Sequence, residues 1–433
     1  MNESPDDPEF QLGKASAAVQ RAGGDRAVLG RRESLRRAEH GNRERTWPDY
    51  AAGGITALSR AVHAFLDGSA QEPPLDVIEW DGAEKVVLLV LDGLGWTQLN
   101  YAFEAGAAPT LRDLAGEGGL LKLTTTLPST TATALVSLHT GLSPIEHGYV
   151  GTRLFLEEVG IIADMLTLTV LGSETSVLSL GLARDDLVSG ETLLSAARKQ
   201  DLGAYALTRE EFRKGGFTQI LYQGGEIEGY RSVADLSGTL TRICRQGGRG
   251  LVCAYWGSVD QVCHLQGSRS GAFLATLTRF DSHLRKELVD RANGRVLLLV
   301  TADHGHVDCP PERTVELTEH PDLLATLAMP PTGDARLPYL YAKEGRLEAL
   351  LDYLDHHLED VADWILAEEA LNAGLFGPYT TSKRKGRLGD VILLPRENYC
   401  FTHAGLPGPQ EFIGRHGGPS SQEMVVPLLW ASI

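Results

Sequence analysis

A carboxylate and an imidazole stand side by side in Ala302-Asp303-His304-Gly305, just beyond the apolar run Val296-Leu297-Leu298-Leu299-Val300. Oxygen and nitrogen donors of this kind hold divalent cations such as zinc or manganese. Asp92 follows a matching run, Val86 to Leu91. Asp260 and His264 follow a third apolar segment, Gly250 to Trp256, at a spacing of four that sets both side chains on one face of a helical turn. Gly414-Arg415-His416-Gly417-Gly418 adds an imidazole in a glycine-rich loop, where backbone can approach a ligand closely. Each has a plain reading: Asp92-Gly93 as a turn dipeptide, Asp260 and His264 as a surface pair, His416 as a solvated loop residue. Agreement among three strand ends and one loop on the same donor chemistry favours a metal site instead. The lone Gly93-Leu94-Gly95 is no dinucleotide fingerprint, because Gln98 stands where the third glycine belongs.

The segment Leu127 to Gly141 supplies hydroxyls. Pro128, Ser129, Thr130 and Thr131 open it, an Ala/Leu-rich stretch follows, and Gly141 closes it, which together describe a capped helix. Ser and Thr are ordinary N-caps. Beside metal ligands, however, a first-turn threonine hydroxyl lies where the positive helix end attracts an anion, and a dication makes it a nucleophile.

Positioning these groups requires a sheet. Val and Leu runs without alternation read as strands buried on both faces, the habit of parallel sheets covered by helices. Ligands gather at the carboxyl ends of such strands, where Asp92, Asp260 and Asp303 all fall. The spacing of Ile55, Leu58, Val62 and Leu66 predicts an amphipathic helix over 50–66, and a second helix is expected over 271–288.

The order of motifs resembles the alkaline phosphatase superfamily, and within it the type I phosphodiesterase and nucleotide pyrophosphatase branch. The motifs are Leu91-Asp92-Gly93; Pro128 to Thr131 with Thr140-Gly141-Leu142-Ser143-Pro144 and His147-Gly148; Val259-Asp260 with His264; Ala302 to Gly305; and Arg415-His416-Gly417. The resemblance covers residues 84–433. It implies an α/β sandwich with a mostly parallel central sheet flanked by helices and a small α/β cap insertion. It also implies two divalent metal ions, zinc foremost, with manganese or iron compatible. Asp260, His264 and His416 would hold one, and Asp92, Asp303, His304 and the nucleophile the other. Counting back from Thr140-Gly141 sets that nucleophile on Thr131, with Thr130 its neighbour. The implied activity is hydrolysis of phosphodiester or pyrophosphate bonds in a small phosphorylated substrate, through a phosphothreonine. His306 and His403 are read as possible auxiliaries, more simply as loop residues near the site.

Three departures bear on substrate. Ala134 stands where nucleotide pyrophosphatases carry an asparagine that contacts the phosphoryl group, and no arginine follows Thr131 before Arg153, unlike alkaline phosphatases proper. None of the cysteines at 244, 253, 263, 309 and 400 begins a sulfatase motif. A phosphonate hydrolase or phosphomutase on the same scaffold is the alternative, and a non-catalytic binding protein a more distant one.

With 433 residues, 42% of them hydrophobic, the chain can bury a large core. The 57 acidic against 40 basic residues, a net charge of −17, argue against binding a nucleic-acid polymer. No apolar run is long enough to span a membrane. The N-terminus lacks the regions of a secretory signal, and five scattered cysteines fit a reducing compartment, so a cytoplasmic location is expected. Residues 1–46, polar and mixed in charge, read as a flexible or loosely docked leader, with short helical stretches such as 15–21. Residues 47–310 and 399–433 read as the metal-binding catalytic core, and 311–398 as the cap-like insertion. Within the insertion, strands are expected over 337–342 and 390–394 and a helix over 344–358, with a further apolar stretch at 364–366. The basic run Ser382 to Arg387 could face an anionic substrate or form a solvated loop.

Overall fold

The computed structural model describes residues 45–72, 75–80, 82–292, 294–378, 384–406 and 411–433. Of the expected leader only Arg45 and Thr46 fall among them, and the helical stretch at 15–21 lies outside. Arg45 is docked: its guanidinium meets Asp363 at 2.6 Å, and the Thr46 amide donates to the Pro419 carbonyl at 2.8 Å.

Two seven-stranded sheets organise the chain. The central one runs in the order Gly119–Thr124, Val425–Ser432, Val296–Thr301, Lys85–Leu91, Gly250–Trp256, Gly203–Arg209, Glu226–Tyr230. All its strands are parallel except Val425–Ser432, which opposes both neighbours. Lys85–Leu91 and Val296–Thr301 are buried along their whole lengths, as their unbroken apolar runs predict. Each fully buried Val or Leu there contributes about 1.5–3 kcal/mol, and Leu88→Ala would cost about 2–5 kcal/mol through the cavity left behind.

Helices flank this sheet in two groups. Ile55–Asp67 packs with Thr131–Thr140 and Leu193–Lys199, while Gly271–His283 packs with Ser258–Gln266, Pro109–Glu117 and Val233–Cys244. The first helix buries Ile55, Leu58, Val62 and Leu66, the stripe expected of it, and stops at Gly68 in the left-handed conformation. The helix expected over 271–288 is α-helical to His283 and continues as a π turn over Leu284–Leu288.

Topology converges on one edge. In the shared register Val90 lies opposite Thr301, so two residues on Asp92 and Asp303 come level. Gly119–Thr124 runs the same way and delivers the chain to Thr131. Val425–Ser432 runs the other way and therefore begins at this same edge, which brings in the loop carrying His416.

The second sheet is antiparallel, ordered Ala362–Leu366, Val391–Pro395, Leu337–Leu340, Thr332–Asp334, Arg153–Leu156, Ile161–Asp164, Thr169–Val170. It draws strands from 153–170 as well as from 311–398. Leu323, Leu350, Leu354, Val391 and Leu393, among others, give its outer part a core of its own beneath helix Leu347–His357.

Candidate metal centre and active site

Asp303 presents one oxygen to backbone and one to the centre. Its Oδ1 accepts from the amides of Gly93 and His304, both at 3.1 Å, while Oδ2 is buried without a hydrogen bond. Asp92 is similar: the Tyr255 hydroxyl donates to Oδ2, and Oδ1 is buried without a partner. Burial drives the Asp92 carboxyl well above its ordinary value, and the nearby Asp260 and Asp303 add to the shift. Orphaned carboxylate oxygens in a dry interior are costly, and a cation is the chemistry that offsets them. His304 Nε2 lies 3.4 Å from Asp92 Oδ1 and 3.6 Å from Asp303 Oδ2. The close turn needs Gly93, at φ +73°, because a Cβ there would fall 2.6 Å from His306 Nε2.

The second group centres on Asp260, in the first turn of helix Ser258–Gln266. Its Oδ1 lies 3.2 Å from His264 Nε2, 3.0 Å from His306 Nε2 and 3.7 Å from His416 Nε2. Burial would raise the Asp260 carboxyl, but the imidazoles of His264 and His306 outweigh it and hold it well below the usual range. His264 Nδ1 meets the Gly414 carbonyl at 2.7 Å and His416 Nδ1 that of Ser129 at 3.1 Å, so both rings turn Nε2 inward. The His264 ring stacks on Phe412 at 4.2 Å, and the His416 ring on His304 at 3.7 Å. Burial, reinforced by His304, keeps His416 well below its ordinary value and hence neutral, the form that coordinates.

Three sets of donors gather within 4.8 Å: Asp92, Asp303 and His304; Asp260, His304 and His416; Asp260, His264 and His306. All six protein ligands expected besides the nucleophile are thus brought together. The residue given too little weight in the sequence is His306, which is fully buried against Asp260 rather than a loop bystander. Its signal was the alternation His304-Gly305-His306, which returns a second imidazole to the same strand end.

Thr130 and Thr131 part company at the start of helix Thr131–Thr140. Thr130 is the extended N-cap residue, and its Oγ1 pairs with Thr152 Oγ1 at 2.7 Å. Thr131 Oγ1 lies 3.2 Å from His304 Nε2. Both face a cavity of about 720 Å³ between the two sheets, lined also by Arg153, His264, His403, Phe412, Arg415 and His416. Ala134 is fully buried and offers no polar group.

Among its described residues, the basic run does not line this cavity. Ser382 and Lys383 lie outside the described residues. Arg387 is buried, donating to the Gly148, Leu187 and Asp186 carbonyls, and Arg384 donates to Ser189 Oγ and the Asp185 and Asp186 carbonyls. These guanidiniums hold loops together, because a buried arginine needs several acceptors at once.

The profile of the type I phosphodiesterase / nucleotide pyrophosphatase family matches residues 86–419. No curated protein matches in a sequence comparison. Among solved structures, the inactive variant of murine ectonucleotide pyrophosphatase / phosphodiesterase 5 in complex with AMP aligns with a TM-score of 0.61 at 16% identity, over 80% of this chain and 88% of that one. The human counterpart gives 0.60 at 16% identity, over 80% and 87%. Phosphonoacetate hydrolase from Sinorhizobium meliloti 1021, in complex with phosphonoformate, gives 0.58 at 17% identity, over 79% and 89%. At such identities the likeness shows a shared fold, the α/β architecture expected from the strand runs. The family match spans the segments that carry Asp92, Thr131, Asp260, His264, Asp303, His304 and His416, and the chain belongs to the type I phosphodiesterase / nucleotide pyrophosphatase family of the alkaline phosphatase superfamily, a phosphoric ester hydrolase.

Proposed function

We propose that the chain hydrolyses phosphodiester or pyrophosphate bonds of a small phosphorylated substrate, with Thr131 as nucleophile and two divalent cations, zinc in the first instance. The observation that carries the reading is the Thr131 hydroxyl facing the cavity at 3.2 Å from His304, beside two carboxylate oxygens without hydrogen bonds. Asp92, Asp303, His304 and Thr131 would hold one cation, and Asp260, His264 and His416 the other. When bound, the cations make the hydroxyl easier to deprotonate and neutralise charge on the phosphoryl and leaving oxygens.

The chain does the rest. Thr131 Oγ1 bonds to phosphorus as the bond to the leaving oxygen breaks, and water then cleaves the phosphothreonine. The first-turn amides of helix Thr131–Thr140, which the Thr130 side chain does not cap, are placed to bind phosphoryl oxygens. Arg153 and Arg415 line the same cavity and suit an anionic substrate.

A second reading, a phosphonate hydrolase, is favoured by Ala134, which gives the phosphoryl group none of the polar contact expected for efficient nucleotide hydrolysis. The convergence of every expected donor disfavours a mere binding protein. No helix among the described residues is long and apolar enough to cross a membrane. A cytoplasmic setting belongs to the same proposal, supported by five buried free thiols.

Hydrolysis of bis-p-nitrophenyl phosphate, p-nitrophenyl phosphate and a phosphonate panel, with added Zn²⁺ or Mn²⁺, tests the assignment. Full activity in Thr131→Ala overturns the nucleophile. Fewer than two equivalents of metal after reconstitution overturns the two-cation site.

A further inference from the structure

We infer that His306 is a further ligand of the Asp260 cation, which would then be held by three imidazoles and one carboxylate. The inference rests on the two-cation reading above. Of the three imidazole nitrogens around Asp260 Oδ1, that of His306 is the nearest, at 3.0 Å. The donor atoms of Asp260, His264 and His306 all lie within 4.8 Å of one another. The His306 ring centroid is 5.1 Å from that of His264 and 5.3 Å from that of His416, edge-on to both.

Backbone and packing fix the ring in this position. Val307 and Arg415 form a rung of the two-residue antiparallel pairing with Gly414 and Asp308. One step along that register His306 falls opposite His416, so the two imidazoles are cross-strand neighbours. The His306 carbonyl accepts from Gln98 Nε2 at 2.8 Å, which anchors the other side. The ring itself is seated between two glycines: a Cβ on Gly93 would meet Nε2 at 2.6 Å, and one on Gly414 would meet Nδ1 at 3.2 Å. Space has been cleared around this imidazole on both sides. His264 and His416 each turn Nδ1 to a backbone carbonyl, so in their neutral forms Nε2 brings a lone pair, not a proton, toward Asp260 Oδ1, and His306 Nε2 joins them there. A third imidazole aimed at the same oxygen is the arrangement that a cation shared by four donors organises.

The competing role is a positioning one, in which His306 only donates a hydrogen bond to Asp260. Two variants separate them. Glutamine keeps an N–H for Asp260 but is a poor ligand, and methionine fills the space without the N–H. Metal binding by the full-length chain is read by competition with a chromophoric chelator. The expected result is two equivalents in the unmodified protein, with one of them weakened about a hundredfold in both His306→Gln and His306→Met. Wild-type affinity in the glutamine variant overturns the inference. A measurement without any variant covers the case in which neither folds: in protein carrying ¹¹³Cd and ¹⁵N-labelled histidine, four imidazoles should show coupling to cadmium. Three coupled imidazoles with both cations bound overturn the role of His306 alone, whereas fewer than two bound cations overturn the reading on which it rests.

Discussion

Two hydroxyls one residue apart have unequal surroundings, and the difference is chemical. Thr130 Oγ1 spends its hydrogen bond on Thr152, while Thr131 Oγ1 faces His304. Thr131→Ala should therefore lower kcat by at least about a thousandfold, the scale on which loss of a nucleophile acts. Thr130→Ala removes a bond between two loops and should leave most of kcat in place. Steady-state kinetics on one diester substrate compares the two, and equal losses would mean that the helix start as a whole, not one hydroxyl, is at work. Gly93 is the other position where a single atom decides. At φ +73°, with His306 Nε2 at 2.6 Å from any Cβ, Gly93→Ala combines backbone strain with a displaced imidazole. It should destabilise by about 1–3 kcal/mol, measured by urea titration, and weaken metal binding as well.

At the scale of elements, Glu423 joins the two loops that carry the ligands. The carboxylate accepts from the Gly418 amide at 2.8 Å, just beyond His416, and from Arg336 at 2.8 and 3.2 Å, while its backbone carbonyl takes the Gly305 amide at 2.8 Å, just beyond His304. Burial alone would raise this carboxyl, but the Arg336 guanidinium, the Ser420 hydroxyl and the Gly418 amide outweigh it and hold it below the ordinary value. A lowered folded pKa means stabilisation that is complete above the unfolded value, about 4.3, and is lost as pH falls through the folded one. Glu423→Gln leaves a buried guanidinium without its charge partner, at a cost of about 3–5 kcal/mol near neutral pH. Its urea midpoint should also fall less steeply than that of the unmodified protein as pH drops below about 4.3. Parallel curves would assign the acid sensitivity to other carboxylates. None of this was legible in the sequence, where Glu423 is one glutamate among many. The strands were legible, because Val86 to Leu91 and Val296 to Val300 admit no solvent face and their ends can lie only at one edge. The composition of the second sheet was not: Arg153–Leu156 and Ile161–Asp164 are short, and although they pair with each other, the first joins the rest of its sheet only through Arg153 opposite Gly333, far along the chain, which no local pattern announces. The run around Arg384 looked like a solvated or substrate-facing charge cluster for the same reason, since the carbonyls that satisfy it come from 147–189.

In a whole molecule with a net charge of −17, two of the acidic groups lie where they are least hydrated. Asp92 and Asp303 are almost or fully inaccessible, and each has a carboxylate oxygen without a hydrogen bond. The fold therefore carries an uncompensated cost that bound cations would remove, and the size of that effect is set by mass action. A cation binding only the folded state, at a hundred times its dissociation constant, adds about 2.7 kcal/mol. Thermal unfolding should accordingly shift downward on treatment with a strong chelator, and return and climb with added Zn²⁺. Asp92→Asn separates cause from coincidence. Without a charge to desolvate, the metal-free variant should melt higher than the metal-free parent, while added cation should raise its midpoint less. If the variant instead melts lower in both states, Asp92 is an ordinary structural carboxylate, and the strain at this edge of the sheet has another source.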